Sequence, residues 1–510
     1  MTLLSNYIEK PWDSNHSLYK ESFLNMKPAP EVTAGEILLA SLYRNVGFSD
    51  HSEVSEKVWK LGTPFKKQLE KEKRPSNTKS PVGFEAQLWG KIVNRAIVTP
   101  KLSGESRKRG NQVTPLVPDA TLYYMSARLQ GNPWNPGKLI AKMIALGTGD
   151  YATALSIWHK LYEKLSVTEE DDVWARMIQT EFESWRVDSI RDAWQKPSVF
   201  PYAESTFVEK FNLDLPAKRF VEDLEFVLNL KQGLTRRQWI SMLESLCRIG
   251  SSAHVNWLCH ANDISREIIE QALQKGVVLT EAEVEEKISK GQDFWSVGLS
   301  ATKPIKEASR RYIEGRGALN LILYMLADAN FDMSRVSLAS PTNISETLAY
   351  LASERERFDF AKYLSSFSLM MESDNKIADC KTGISKNVLA FLGSIACQRI
   401  TSEAGLESYD QGYYFEKKGN YSTAPWVVGL GPLSILLMVH CAASRAIGPC
   451  TVQHLCEQLA KYGINAELAL GSGEVLNKKL RDMSIAVDSP DAEGGMVIVS
   501  PLTELGLKGN

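Results

Sequence analysis

The stretch Pro432-Leu-Ser-Ile-Leu-Leu-Met-Val-His-Cys-Ala-Ala-Ser444, followed by Pro449, Thr451 and the run Val452 to Tyr462, decides how this chain is read. The first block is apolar over the length of one buried helix. Pro449 and Thr451 open a second helix, and Gly463 closes it in the left-handed conformation that suits a helix C-terminus. A third helix is expected over Glu474 to Met483, after the turn formers Gly471, Ser472 and Gly473. Two short β-type runs follow, Ile485-Ala-Val487 and Met496-Val-Ile-Val499, separated by Asp488-Ser-Pro-Asp-Ala-Glu-Gly-Gly495. Helix, helix, helix, hairpin is the order of a winged helix, and most such domains place the third helix in a DNA groove. The tail therefore points to DNA or to a protein partner.

Upstream of this block, Tyr413-Tyr-Phe415 and Tyr421-Ser-Thr423 flank Lys418-Gly-Asn420, the pattern of a small hairpin. The change of texture sets a boundary near residue 405, so 405–510 reads as a hairpin plus a winged-helix domain. From Gly137 to about Ile288 apolar residues recur every three or four positions, as in Ala154, Trp158, Leu161, Leu165 and in Trp174, Ile178, Phe182, Trp185. Further helices are expected over Lys306 to Leu326 and Ser385 to Thr401. One more should run from Glu346 to Met371, opened at capping-box spacing by Asn343-Ile-Ser-Glu346, with a loop from Glu372 to Gly383. Gly149-Asp-Tyr-Ala-Thr-Ala-Leu155 looks like the start of a helical-hairpin repeat, but nothing like it recurs at a fixed period. Residues 119–404 thus read as an irregular helical array. Residues 1–118 read as a basic helical region with polar loops at Glu70 to Gly83 and Leu102 to Pro118. The expected fold is mainly α: a helical array with a C-terminal winged helix and small β-hairpins.

The totals exclude several classes. At 510 residues, 44% hydrophobic and 24% charged with a net charge of -2, the chain is an ordinary globular protein, not a polyelectrolyte. Seven cysteines without a CxxC pair sit in apolar helical stretches and favour a reducing compartment over a disulfide framework. The N-terminus has neither the basic region nor the apolar core of a secretory signal. Trp426 to Ala443 is broken by Gly429, Gly431 and Pro432, leaving about eleven continuous residues, short of the ~20 that cross a bilayer. A cytoplasmic protein without membrane spans is expected.

Two surfaces are candidates for nucleic acid. On the third helix of the tail, the Asn477 amide could read a base while Lys478, Lys479 and Arg481 hold phosphates. Against this, Asp488, Asp491 and Glu493 place carboxylates where a DNA-binding wing is usually basic. The second surface lies between Lys57 and Arg109, where fourteen basic residues oppose four acidic ones for a net +10. Lys66, Lys67, Arg107, Lys108 and Arg109 form its densest clusters. Trp59, Phe65, Phe84 and Trp89 lie among these cations and would stack on unpaired bases if exposed. The alternative is that the rings are core and the cations face solvent or an acidic surface of the same chain.

Catalytic and metal signatures are weaker. Cys247, His254, Cys259 and His260 have the spacing C-x6-H-x4-C-H, and adjacent ligands on a helix diverge by about 100°, so core packing is expected rather than zinc. Asp410 with Glu416-Lys417-Lys418 has the residue types of a magnesium-dependent nuclease without the sheet that supports one. Gly131-Asn-Pro-Trp-Asn-Pro-Gly-Lys138 has five residues between its glycines, two of them prolines, and Leu139 where a phosphate loop needs Ser or Thr. It reads as a turn before a helix. No cofactor is implied.

The tail from Gly448-Pro-Cys-Thr-Val-Gln-His-Leu455 through Leu480-Arg-Asp-Met483 to Val487–Val499 resembles the ends of large bacterial proteins of unknown mechanism. Such proteins occur in multi-gene phage-defence loci beside helicases, ATPases or methyltransferases. The resemblance covers roughly the last 75 residues and carries over no catalytic residue. It implies a subunit of a defence complex, with a helicase or ATPase as a partner. Three readings stay open: a non-enzymatic DNA-associated subunit, a metal-dependent nuclease, and a scaffold whose winged helix docks a protein.

Overall fold

The computed structural model describes residues 3–26, 35–48, 80–97, 114–122, 136–184, 194–203, 207, 216–289, 293–373, 375–401, 405–406, 408–419, 424–470, 475–487 and 496–503. The chain is mainly α-helical. The N-terminal helices are α1 (Leu3–Glu9), α2 (Ser17–Glu21), α3 (Gly35–Gly47), α4 (Ala86–Ile97) and α5 (Pro118–Leu122). The array continues with α6 (Pro136–Thr148), α7 (Tyr151–Leu165), α8 (Val173–Glu183), α9 (Pro216–Asn229), α10 (Arg236–Lys275) and α11 (Glu281–Ser289). After strand β1 (Trp295–Ser296) come α12 (Thr302–Asp328), α13 (Pro341–Ser353), α14 (Phe360–Ser373), α15 (Asn375–Ala378) and α16 (Gly383–Ile395). The C-terminal part comprises β2 (Phe415–Lys417), β3 (Trp426–Val428), α17 (Pro432–Arg445), α18 (Val452–Ala460), β4 (Ile464–Asn465), α19 (Val475–Asp482), β5 (Ala486–Val487) and β6 (Val497–Ile498).

The axis of the molecule is α10, a helix of 40 residues. Thr235 and Gln238 start it with a reciprocal capping box, and Gly276, at φ 69°, ends it. Residues 242–259 are all buried, the pattern of a helix enclosed on every side. Neighbours α3, α9, α12, α13, α16 and α17 pack against it. Two glycines permit close helix approaches. A Cβ on Gly250 would lie 2.4 Å from the Phe220 ring of α9, and one on Gly315 of α12 would lie 2.7 Å from the Asn262 backbone.

Local signals explain most helix starts. Asp150 and Asp172 accept from the amides of Thr153 and Ala175 at 2.7 and 3.0 Å, opening α7 and α8. The helix expected from Glu346 to Met371 is two helices. Ser340 caps α13 ahead of Pro341, a short 3-10 turn spans Arg355–Arg357, and Asp359 accepts from Lys362 N to open α14. The loop expected from Glu372 to Gly383 contains α15. Strand β2 pairs antiparallel with β3, Trp426–Val428, in the register Phe415↔Val428; Tyr421–Thr423, the run expected in this hairpin, lie outside the described residues. Strands β5 and β6 also pair antiparallel, and Thr451 bridges to Val497.

Segments on either side of residue 405 are stitched together. Strand β1 pairs parallel with β4, Trp295 opposite Ile464, and Gly298 N donates to the Val428 carbonyl at 2.8 Å. One hydrophobic cluster runs from Leu4 to Leu502. All seven cysteines are buried and carry free thiols. Among the described residues no helix is long and apolar enough to cross a membrane.

Candidate nucleic-acid interface

The helix α19 is eight residues long, with Leu476 and Leu480 buried one turn apart. At about 100° per residue this anchoring face sends Val475, Lys478, Arg481 and Asp482 outward, and all four are exposed or half-buried. Asn477 and Lys479 fall on the flanks. Asn477 is only 8% exposed, and its Oδ1 accepts from Arg481 Nε at 3.1 Å. Base reading needs an accessible amide, which this one is not. Lys479 Nζ lies 3.1 Å from Glu416 Oε2 and donates to the Leu430 carbonyl at 2.9 Å. Of the four residues expected to meet DNA, two therefore tie α19 to β2 and to its own turn, and Lys478 and Arg481 are presented outward. The acidic wing, 488–495, lies outside the described residues.

Lys66, Lys67, Arg107, Lys108 and Arg109 also lie outside the described residues, as do Trp59 and Phe65. The described part of the basic region is α4 and its approach. There Trp89 is buried and its Nε1 donates to Glu181 Oε2 at 2.8 Å. Phe84 packs beside it, with ring centroids 5.4 Å apart. These two rings belong to the core and are not a stacking platform for bases. Trp174, outside that group, is 51% exposed and stacked on Trp89 at 8° between planes. Sequence periodicity places Trp174 inward; it sits half exposed in the first turn of α8.

The segment leading into β2 carries a buried charge cluster that the sequence does not reveal. Arg248 on α10 donates to both Asp410 oxygens, at 2.8 and 3.2 Å, and to the carbonyls of Ile395 and Cys397. Arg399 pairs with Asp410, with Glu244 at 2.8 Å and with Glu36. Burial alone would raise the Asp410 carboxyl, but the two guanidinium groups outweigh it and hold it well below the usual range. Glu244 goes the other way: burial, only partly opposed by Arg399, pushes it up to about 7. Three carboxylates thus share two guanidiniums. A second cluster fastens α17 and α18 to α9. Asp223 accepts from Gln458 Nε2 and Tyr462 OH, each at 2.6 Å, and pairs with Arg445.

These contacts bear on the catalytic alternatives. Asp410 is neutralised by two arginines and Glu416 is held by Lys479, so the carboxylates of the nuclease pattern are both engaged by cations. Cys247, His254, Cys259 and His260 all lie on α10, and burial drives His254 down to about 3. Among the described residues no group of three His, Cys, Asp or Glu side chains is arranged to hold a metal ion. Residues 131–135 lie outside the described residues, and α6 starts at Pro136. Comparison with protein-family models, curated proteins and solved structures finds no match to this chain.

Proposed function

We propose that this chain is a non-enzymatic, DNA-associated subunit of a multi-protein bacterial antiviral defence system, acting in the cytoplasm. The observation that carries the DNA part is the outward face of α19, with Lys478 and Arg481 directed away from the anchoring leucines. We read 432–503 as a winged helix. Three helices precede an antiparallel strand pair, and the bridge from Thr451 to Val497 supplies the short third strand such a domain uses. With Asn477 turned inward, recognition falls to phosphates and not to base edges. The engaged carboxylates of Asp410 and Glu416 favour the non-enzymatic reading over the nuclease. The defence assignment, with a helicase or ATPase as partner, rests on the resemblance of the tail.

A second reading has its own support. Val475, Val487 and Val499 are each about half exposed on α19 and the strand pair, and Asp482 shares the outward face with the two cations. An apolar surface whose cations are partly offset by a carboxylate suits a protein partner. Fluorescence anisotropy with labelled duplex DNA separates the two. The DNA reading expects Lys478→Glu with Arg481→Glu to weaken binding for every sequence tested, and Asn477→Ala to leave sequence preference unchanged. Absence of binding by the full chain at low salt, with co-purification of a helicase or ATPase that is lost in Val475→Asp, would favour docking.

A further inference from the structure

Among the described residues, buried arginines are matched by acceptors, with one exception. Four arginines are buried among the described residues: Arg44, Arg236, Arg248 and Arg316. Arg236 meets Asp171 at 2.9 Å, Arg248 meets Asp410 at 2.8 Å, and Arg44 Nε donates to the Thr121 carbonyl at 2.9 Å. Arg316, on α12, is 4% exposed, and its Nε and Nη1 are sealed from solvent without any protein acceptor among the described residues. The Trp12 ring stands over the guanidinium, 5.9 Å from centroid to Cζ, and Trp12 Nε1 is likewise sealed without an acceptor.

The tyrosines around it supply no negative charge. The nearby hydroxyls of Tyr7, Tyr19 and Tyr312 are each raised by burial, an effect that the Arg316 charge only partly opposes, so all three stay neutral. Tyr7 donates to the Gly317 carbonyl at 3.3 Å and Tyr19 to Asn262 Oδ1 at 2.7 Å, so both protons point elsewhere. The N-terminal segment closes over this point. Tyr7 stacks on Tyr324 at 4.7 Å, and His16 N donates to Asn320 Oδ1 at 2.7 Å. An unpaired guanidinium under such a cover is among the least favourable arrangements a fold can hold.

We propose that Arg316 and Trp12 form an internal receptor for a small oxyanion, a phosphate or carboxylate group carried by a small molecule, held between the N-terminal segment and α12. The planar guanidinium fork matches either group, and an indole N–H on the contacting ring adds a neutral donor. A residue 4% exposed beneath Trp12 is out of reach of a duplex backbone, so this site is separate from any DNA surface. The ligand would link the first 26 residues to the array.

Thermal unfolding of the full chain, titrated with sodium phosphate and separately with sodium acetate at ionic strength held constant with chloride, tests the proposal. Wild type is expected to show a saturable rise in Tm with at least one anion. A response to phosphate alone identifies a phosphate ligand, and a response to acetate alone a carboxylate. Arg316→Met should abolish the rise. Without anion it should unfold no earlier than wild type, because it removes the unpaired charge. Trp12→Phe keeps the ring and should weaken apparent anion affinity about tenfold, the scale of one hydrogen bond; it decides the matter if Arg316→Met does not fold. No saturable shift in wild type, or a shift of equal size in the variants, overturns the proposal.

Discussion

Glu244 is a buried carboxyl whose ionisation is pushed towards neutral pH. Glu36, Glu244 and Asp410 face Arg248 and Arg399 in a buried space, and Glu244 is raised from its ordinary 4.5 to about 7, first by burial. A carboxyl whose pKa is higher in the folded state stabilises the fold fully below the unfolded value and loses that contribution as pH rises through the folded one. Wild-type Tm should therefore lose part of its height between about pH 5 and pH 8. Glu244→Gln, which keeps the shape of the protonated acid, should flatten that loss and match or exceed wild type at pH 8. Calorimetry across this range measures it, and a pH profile unchanged by the substitution would contradict the assignment. Asp410 contributes in the opposite sense: its lowered carboxyl stabilises above 3.8 and loses that effect as pH falls. The sequence offers Asp410 as a metal ligand because residue type is all that can be read there. One of its two arginine partners, Arg248, lies 162 residues upstream, a distance over which no spacing rule operates.

Between elements, packing distance decides what substitutions cost. Gly315 lets α12 lie against the Asn262 backbone of α10, and a methyl group there has only backbone to push. Gly315→Ala should cost about 1–3 kcal/mol in urea unfolding, the range of overpacked cores. Gly393 in α16 has nothing within 4 Å of where a Cβ would stand, so Gly393→Ala should be neutral or gain about 0.5–1 kcal/mol from helix propensity. Equal effects at the two sites would refute this account of the helix contact. The elements themselves are legible where a local device read from the sequence sets them, as Gly463 does at φ 76° behind α18. The break between α13 and α14 is not, because apolar periodicity runs through it and the cap at Asp359 is a single residue. Nor is the β1–β4 pairing, since two residues in parallel carry no period at all.

At the scale of the whole molecule, the C-terminal helices and strands are anchored to the array by Arg248 with Asp410, by Arg445 with Asp223, and by β1 with β4. A rigid mount of this kind suits an element that presents a surface, and the surface proposed here is cationic. The expected phosphate contacts are Lys478 and Arg481 on α19 and, in the separate basic region outside the described residues, Lys66, Lys67, Arg107, Lys108 and Arg109. Phosphate binding releases counterions, so each contact adds about 0.9 to the slope of log affinity against log salt on duplex DNA. The decisive measurement is that slope, from binding isotherms of the full chain at several salt concentrations. The account predicts a steep wild-type slope, shared by unrelated sequences, that falls by about 0.9 for each contact removed when the seven cations are reversed to Glu. Affinity that is absent at low salt, or a slope that the reversals leave unchanged, would contradict DNA association and leave protein docking as the function of this surface.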